Sequence, residues 1–75
     1  MKRLTGRRPQ VGDRVRMMGV MPNDPDPIPV GMEGTVRSVT PEEWAIQQYD
    51  VDWDGPRSLF LLPGDPFAII GRVEP

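Results

Sequence analysis

Apolar and polar residues alternate in two stretches of the chain, in the period-two pattern of a half-buried strand. From Asp13 onward, Val15 and Met17 alternate with arginines until Met18 breaks the pattern. Across residues 49–54, a tyrosine, a valine and a tryptophan alternate with three aspartates. We therefore predict a first strand that ends or bulges at Met18, and a third strand whose acidic face meets water.

Three further segments have the composition of strands. Gly31 and Gly34 precede a strand predicted over residues 35–39, where Gly34 permits a sharp bend or a close backbone approach. Residues 57–62 predict a fourth strand with apolar side chains on both faces, one of which the N-terminal arm, the proline-rich loop or a second copy must cover. Residues 67–70 predict a fifth strand that pairs with the first and closes the sheet.

Two connections between these strands have special chemistry. Residues 20–31, called the proline loop below, contain four prolines, which fix φ and remove hydrogen-bond donors. They predict a stiff loop that serves either packing or binding. Residues 40–43 read Thr-Pro-Glu-Glu, the pattern of a capping box, and predict one helical turn through Trp44 and Ala45.

Together these elements predict an all-β fold, specifically a small, partly open, five-stranded SH3-like barrel. The proline loop follows the first strand, and the helical turn lies between strands 2 and 3. Residues 1–10 lack apolar periodicity and are predicted to form a flexible basic arm, while residues 11–75 form a single domain. Ten prolines and eight glycines in 75 residues agree with a turn-rich β protein.

Residue types that are missing from the sequence exclude several chemistries. The chain has no cysteine and no histidine, which excludes disulfides, thiolate or imidazole metal sites and every Ser-His or Cys-His catalytic arrangement. The opening residues carry no apolar run of signal-peptide length, and no segment is long enough to span a bilayer. We therefore expect a cytoplasmic protein that is not an enzyme and uses no cofactor.

Charge is distributed unevenly along the chain. The first sixteen residues hold six cations and one aspartate, a net charge of +5, and the remaining residues hold three arginines and ten acids, a net charge of −7. This polarity suits a nucleic-acid contact through the arm, an acidic partner, or simply solubility and attraction between the arm and the body of the protein.

Five short sequence motifs stand out along the chain. They are GDRVR at residues 12–16, DPDPIP at 24–29, GMEGTV at 31–36, VDWD at 51–54 and LFLLPGDPF at 59–67. Together they resemble a family of small bacterial and phage proteins known as a domain of unknown function. The resemblance covers most of residues 11–70 and implies an SH3-like barrel associated with phages or mobile elements, with no activity attached. The chain departs from that family at residues 40–46, where the family has a tighter glycine-containing turn, and at Pro56 after Gly55.

Candidate binding residues fall into two sets. A protein partner would use an aromatic anchor outside the core together with the proline loop, and the residues we assign to it are Trp44, Phe60, Asp24, Asp26 and Ile28. Nucleic acid would use a positive patch on the arm and the first two strands, formed by Arg7, Arg8, Arg14, Arg16 and Arg37.

Two groups of carboxylates are weaker candidates. Asp50, Asp52 and Asp54 lie about 7 Å apart along one strand face, too flat a row to surround a calcium ion, so we expect a solvated face and no metal site. Asp24 and Asp26 form a pair without any accompanying nucleophile, which argues against acid–base catalysis.

The sequence thus favours a non-enzymatic binding module that engages a protein partner. Nucleic-acid binding through the arginines is the first alternative. Sequestration of a nucleotide-like small molecule, with arginines on phosphate and an aromatic side chain on the base, is the second. A homo-oligomer is compatible with all three.

Overall fold

Four strands form one antiparallel sheet. The computed structural model describes residues 8–73, and within that range the strands are β1 (Asp13–Met17), β2 (Glu33–Val39), β3 (Tyr49–Trp53) and β4 (Phe67–Arg72). Their order in the sheet is β3-β2-β1-β4. The all-β prediction is confirmed, as is the predicted pairing of the last strand with the first, which is antiparallel.

The alternating patterns place the apolar side chains of β1 and β3 in the core. Val15 and Met17 of β1 are fully buried, and β1 ends where Met18 breaks the pattern. On β3 the tyrosine, valine and tryptophan are buried, whereas Asp52 is exposed. These two strands therefore behave as the period-two rule predicts.

Gly34 lets β2 and β3 approach closely. A Cβ atom at this position would lie 2.6 Å from Val51 Cγ1 and 2.8 Å from the Asp52 carbonyl oxygen. Neither distance is compatible with a side chain unless the strands move apart. The predicted close backbone approach at Gly34 is confirmed.

The second layer of the core comes from irregular segments instead of a second sheet. Met21 and Ile28 of the proline loop and Leu61 are buried against the sheet. The rings of Tyr49 on β3 and Phe67 on β4 meet edge to face with centroids 6.3 Å apart. Edge strands of a flat four-stranded sheet would lie about 14 Å apart, so the sheet curves around these side chains.

The described residues form neither the predicted fourth strand over residues 57–62 nor a five-stranded barrel, whereas the predicted fifth strand is present as β4. Residues 57–62 contribute a single bridge, in which Leu61 and Tyr49 exchange backbone hydrogen bonds of 2.8 and 2.9 Å. The Leu59 carbonyl instead accepts a bond from Trp53 Nε1, and the Leu62 amide donates to Asp65 Oδ2. These side-chain bonds replace a ladder, and the sheet stays open with β3 and β4 at its edges.

The predicted helical turn after Thr40 is also absent, because the capping residue has another partner. The Thr40 hydroxyl exchanges hydrogen bonds of 2.9 Å with the backbone of Gln48 and so closes the β2–β3 loop. Trp44 makes one turn bond, from its amide to the Pro41 carbonyl. No helix occurs in the described part of the chain, and consequently none there has the length and apolarity required to cross a membrane.

Part of the predicted arm packs against the domain. Pro9 is buried, and the Gln10 amide donates to Asp13 Oδ2 at 2.7 Å. Asp13 is itself fully buried and lies 3.2 Å from an Arg72 guanidinium nitrogen, which ties the start of β1 to the end of β4. The folded unit thus includes residues 8–10, and the rest of the predicted arm lies outside the described residues.

Candidate functional site

An open cleft of about 660 Å³ separates the proline loop from residues 58–65. We call it the proline-loop cleft. Apolar side chains form much of its surface, namely Met21, Leu59, Phe60 and Leu62. Its polar lining includes Asp24, Gln48 and Asp65.

One wall of the cleft displays apolar side chains on a fixed backbone. Leu61 is fully buried, while Phe60 and Leu62 on either side of it are 46% and 45% exposed. The Leu61 backbone pairs with β3, and the Trp53 indole donates to the Leu59 carbonyl at 2.9 Å. Phe60 and Leu62 are therefore held at the surface by anchored neighbours on both sides.

The opposite wall is the proline loop, which is held to the body of the protein. Ile28 is buried in the core, and its amide donates to the thioether sulfur of Met21 at 3.4 Å. Arg57 donates to the Asp26 carbonyl at 2.6 Å and so joins the loop to the opposite wall's segment. The loop therefore packs against the core and also forms one wall of the cleft.

The cleft is acidic. Asp65 Oδ2 accepts the Leu62 amide at 2.8 Å, and Asp24 Oδ1 accepts the Asp26 amide at 3.0 Å. A carboxylate offers about four acceptor positions, so each retains capacity for an external donor. Among the described residues that line the cleft, none is cationic.

The five residues assigned to a protein partner separate in the structure. Phe60 and Asp24 come together in the cleft. Asp26 is exposed, with its carboxylate 3.5 Å from Arg57. Ile28 is only 1% exposed and serves the core, contrary to the expected surface role. Trp44 is 61% exposed in the β2–β3 loop and does not line the cleft.

The arginines assigned to nucleic acid face carboxylates on the outer side of the sheet. Arg14 forms a fork with Asp54, at 2.6 and 3.0 Å, and lies 3.4 Å from Glu33. The hydrogen bond from Arg14 lowers the pKa of Asp54 below its ordinary value, and the nearby positive charge acts in the same direction. The same bond raises the pKa of Arg14.

Two more arginines of this face have carboxylate partners. Arg37 Nε lies 2.9 Å from Asp50, and Arg16 Nε lies 3.7 Å from Glu33. Arg8 donates to the Thr40 carbonyl and to Gln47 Oε1, whereas Arg7 lies outside the described residues. The predicted positive patch is therefore a network of paired charges. Two of its acids, Asp50 and Asp54, belong to the predicted row of aspartates.

A smaller hollow of about 370 Å³ lies beside β1, β2 and the end of β4. Arg37 and Arg72 are among its lining residues, and their side chains are paired with Asp50 and Asp13 respectively. The described residues lining it include no aromatic ring. Residues 8–73 also contain no group of three or more carboxylates arranged to hold a metal ion.

Sequence reasoning missed three parts of the cleft. Asp65 lies in a Pro-Gly-Asp-Pro turn, where an aspartate commonly accepts a backbone amide, and this was the available signal. Leu62 follows Phe60 at the strand period and so shares its face. Gln48 carries no sequence signal for this location, because its place depends on the β2–β3 loop.

Comparisons of the chain with protein-family models, with curated proteins and with solved structures give no match.

Proposed function

We propose that the protein is a non-enzymatic binding module whose proline-loop cleft takes a short segment of a protein partner. The partner segment presents an apolar side chain with lysine or arginine beside it. This proposal moves the partner site predicted from the sequence away from Trp44 and onto Phe60.

The observation that supports this proposal is the exposure of Phe60 and Leu62 beside two carboxylates. Both side chains are nearly half exposed although their neighbour Leu61 is fully buried. Aromatic side chains held at a surface with adjacent charge are common anchors in protein interfaces. A cleft of about 660 Å³ has the volume of sites that enclose a few side chains.

The carboxylates of the cleft favour a partner segment that carries positive charge. Asp24 and Asp65 each accept a backbone amide with one carboxylate oxygen, which leaves the other oxygen for a partner. A lysine or arginine near them gains a charge-assisted hydrogen bond, whereas an acidic segment is repelled. The net charge of −7 over residues 17–75 acts in the same direction.

Selection of peptides from a random library on the immobilised protein tests the proposal. We expect the enriched sequences to share an apolar residue flanked by lysine or arginine. A synthetic peptide with the enriched sequence is then titrated by fluorescence anisotropy. Phe60→Ala should weaken its binding about tenfold or more, the effect of truncating a central anchor.

Trp44→Ala is the matched control, because Trp44 is an exposed aromatic residue outside the cleft. It should leave the peptide affinity unchanged. A loss caused by Trp44→Ala and not by Phe60→Ala would move the binding surface to the β2–β3 loop. Enrichment of acidic peptides would contradict the proposed chemistry.

The alternatives remain predictions from the sequence with less support. Nucleic-acid binding would have to break the ion pairs that hold Arg14 and Arg37. A nucleotide-like ligand lacks a stacking ring among the residues described around the smaller hollow. The SH3-like classification, the phage association and the cytoplasmic location rest on the sequence alone.

A further inference from the structure

The β2–β3 loop displays two large apolar side chains. Trp44 is 61% exposed and Ile46 is 72% exposed. The exposed Glu42 and Glu43 come directly before them in the chain. Large apolar side chains that lie outside the core with charge beside them are typical of protein interfaces. Residues 42–46 are called the loop tip below.

Side-chain hydrogen bonds hold the loop tip in one arrangement. The Gln47 side-chain amide donates to the Trp44 carbonyl at 2.9 Å, and its oxygen accepts the Arg8 guanidinium at 3.1 Å. The Thr40 hydroxyl and the Gln48 backbone close the base of the loop. Because these bonds already order the backbone, the loop tip loses little conformational entropy when it binds. It is therefore suited to insert into a hollow that already exists.

The smaller hollow beside β1, β2 and the end of β4 has complementary chemistry. Its volume of about 370 Å³ lies within the range of sites that enclose a small ligand or a few side chains. Val11 and Val73, which are 54% and 49% exposed, contribute apolar surface, and Arg37 and Arg72 contribute cations. An apolar side chain with carboxylates beside it therefore fits this hollow.

Charge distinguishes this hollow from the proline-loop cleft as a place for the loop tip. The carboxylates of the cleft repel Glu42 and Glu43, whereas the arginines of the hollow do not. Arg37 and Arg72 are each paired with an aspartate of their own chain, which keeps the electrostatic gain small. The apolar side chains therefore supply most of the affinity, and the charges exclude the cleft.

The loop tip and the hollow lie at the same end of the sheet. Val36 of β2 lines the hollow, and its carbonyl accepts the Gly12 amide at 2.8 Å. β2 ends three residues later at Val39, about 10 Å along the strand, where the β2–β3 loop begins. A twofold axis at this end therefore lets each of two copies insert its loop tip into the hollow of the other, which forms a closed dimer.

We propose that the protein forms a dimer in which the loop tip of each copy, with Trp44 as its anchor, occupies the smaller hollow of the other copy. The interface consists of two small contacts, so the dimer is weak and its population depends on concentration. This inference goes beyond the proposed function and does not rest on it, because the proline-loop cleft takes no part in the dimer.

Sedimentation velocity between about 10 and 1000 μM tests the dimer without any other partner. We expect the weight-average mass to rise from that of a monomer towards that of a dimer. Trp44→Ala should raise the dissociation constant about tenfold or more, because both contacts lose their anchor. Phe60→Ala removes an exposed aromatic side chain from the cleft and is the matched control, which should leave the dissociation constant unchanged.

Three results of this experiment would overturn the inference. The first is a monomer at every concentration. The second is a dimer that tolerates Trp44→Ala. The third is a dimer that dissociates in Phe60→Ala, because the two copies would then meet through the cleft.

A carboxylate placed in the hollow tests the other half of the contact. Val11→Glu or Val73→Glu introduces a negative charge beside the expected positions of Glu42 and Glu43, and either should dissociate the dimer. Ile70→Glu makes the same change at an exposed apolar residue outside the described lining of the hollow, and should leave the dimer intact. Urea denaturation verifies that each variant is folded. A dimer that persists when the folded hollow variants are tested would overturn the inference.

A mixture of two defective variants distinguishes an exchange of loop tips from a contact between two tryptophans. Trp44→Ala keeps the hollow, and Val11→Glu keeps the loop tip. An equimolar mixture should therefore contain more dimer than either variant alone, because one intact contact forms between the two chains. If Trp44 of one copy stacked on Trp44 of the other, the mixture would stay monomeric, and the exchange would be overturned.

Discussion

The outer face of the sheet and the proline-loop cleft both carry carboxylates, but they differ in what those carboxylates face. On the sheet, Asp54 and Asp50 meet Arg14 and Arg37 at hydrogen-bond distance. In the cleft, no described lining residue is cationic, and the Asp24 and Asp65 carboxylates each accept a backbone amide. Both surfaces carry carboxylates, but only those of the sheet face are paired with guanidinium groups of the described residues.

This difference teaches that a charged patch becomes a recognition surface only where the protein has not already neutralised it. A guanidinium held by a carboxylate must lose that partner before it binds a phosphate, and the exchange gains little. Among the described residues that line the cleft, none is a cation that an incoming lysine or arginine would have to displace from Asp24 or Asp65. The acidic cleft is therefore the stronger candidate, although the arginines are more conspicuous in the sequence.

The largest expected effect distinguishes the buried residue that supports the cleft wall, Leu61, from its exposed neighbour Phe60. Leu61→Ala removes a fully buried side chain and should lower the free energy of unfolding by about 2–5 kcal/mol. Phe60→Ala, one residue away and 46% exposed, should cost no more than about 1 kcal/mol. Urea denaturation of both variants measures the contrast. Similar losses would mean that Phe60 serves the core and is not displayed for a partner.

Removing the charges of the cleft should have a smaller effect, on binding alone. Asp24→Asn and Asp65→Asn keep an oxygen that accepts the same backbone amide and delete the negative charge. Each should weaken a lysine- or arginine-containing peptide about two- to fivefold, with a shallower dependence on salt. Isothermal titration at two salt concentrations checks this, with Asp52→Asn on the sheet face as control. An equal effect of Asp52→Asn would remove the contrast between the surfaces.

Breaking an ion pair on the sheet face should change the titration of its carboxylate and leave peptide binding unchanged. Arg14 holds the pKa of Asp54 below its ordinary value of 3.8. Because the pKa of Asp54 is lower in the folded protein than in the unfolded chain, its ionised carboxylate stabilises the fold at pH values above the unfolded pKa. This contribution is lost as the pH falls through the pKa of the folded protein. In Arg14→Gln the pKa of Asp54, followed by NMR, should return towards 3.8, and that part of the acid sensitivity should vanish. An unchanged titration would mean that the fork is absent in solution.

The smallest expected effect concerns nucleic acid. Because Arg14, Arg16 and Arg37 have carboxylate partners, we expect no salt-sensitive binding of labelled single- or double-stranded oligonucleotides between about 50 and 200 mM salt. Fluorescence anisotropy measures this directly. Tight binding at low salt that is lost when the three arginines are replaced by glutamine would restore the nucleic-acid alternative.

The order of apolar and polar residues predicted those parts of the fold that depend on residues close together in the chain. The alternation in β1 and β3, the break at Met18 and the close approach at Gly34 all follow from neighbouring residues. The predicted strand at residues 57–62 does not form, and Leu61 alone pairs with Tyr49. The Leu59 carbonyl accepts a hydrogen bond from the Trp53 indole instead of from a neighbouring strand. The sequence does not indicate which of these two donors the carbonyl will take.

The candidate site was harder to predict for the same reason. Phe60 and Asp24 were identified by residue type and lie in one cleft, whereas Ile28, chosen from the same loop, lies in the core. Nothing in the proline loop distinguishes its inward from its outward residues, because prolines impose no period of two. The pairing of arginines with the aspartate row depended on strand register, which the sequence does not specify.

The central position of β1 determines when this fold can be completed during synthesis. β1 lies near one end of the chain and pairs with β2 and with β4, the last strand. Until Arg72 has left the ribosome, one edge of β1 stays open, and the buried Asp13 lacks its guanidinium partner. An open strand edge is a template for other chains. The nascent chain therefore passes through a period in which aggregation competes with folding, and that period lasts until β4 arrives.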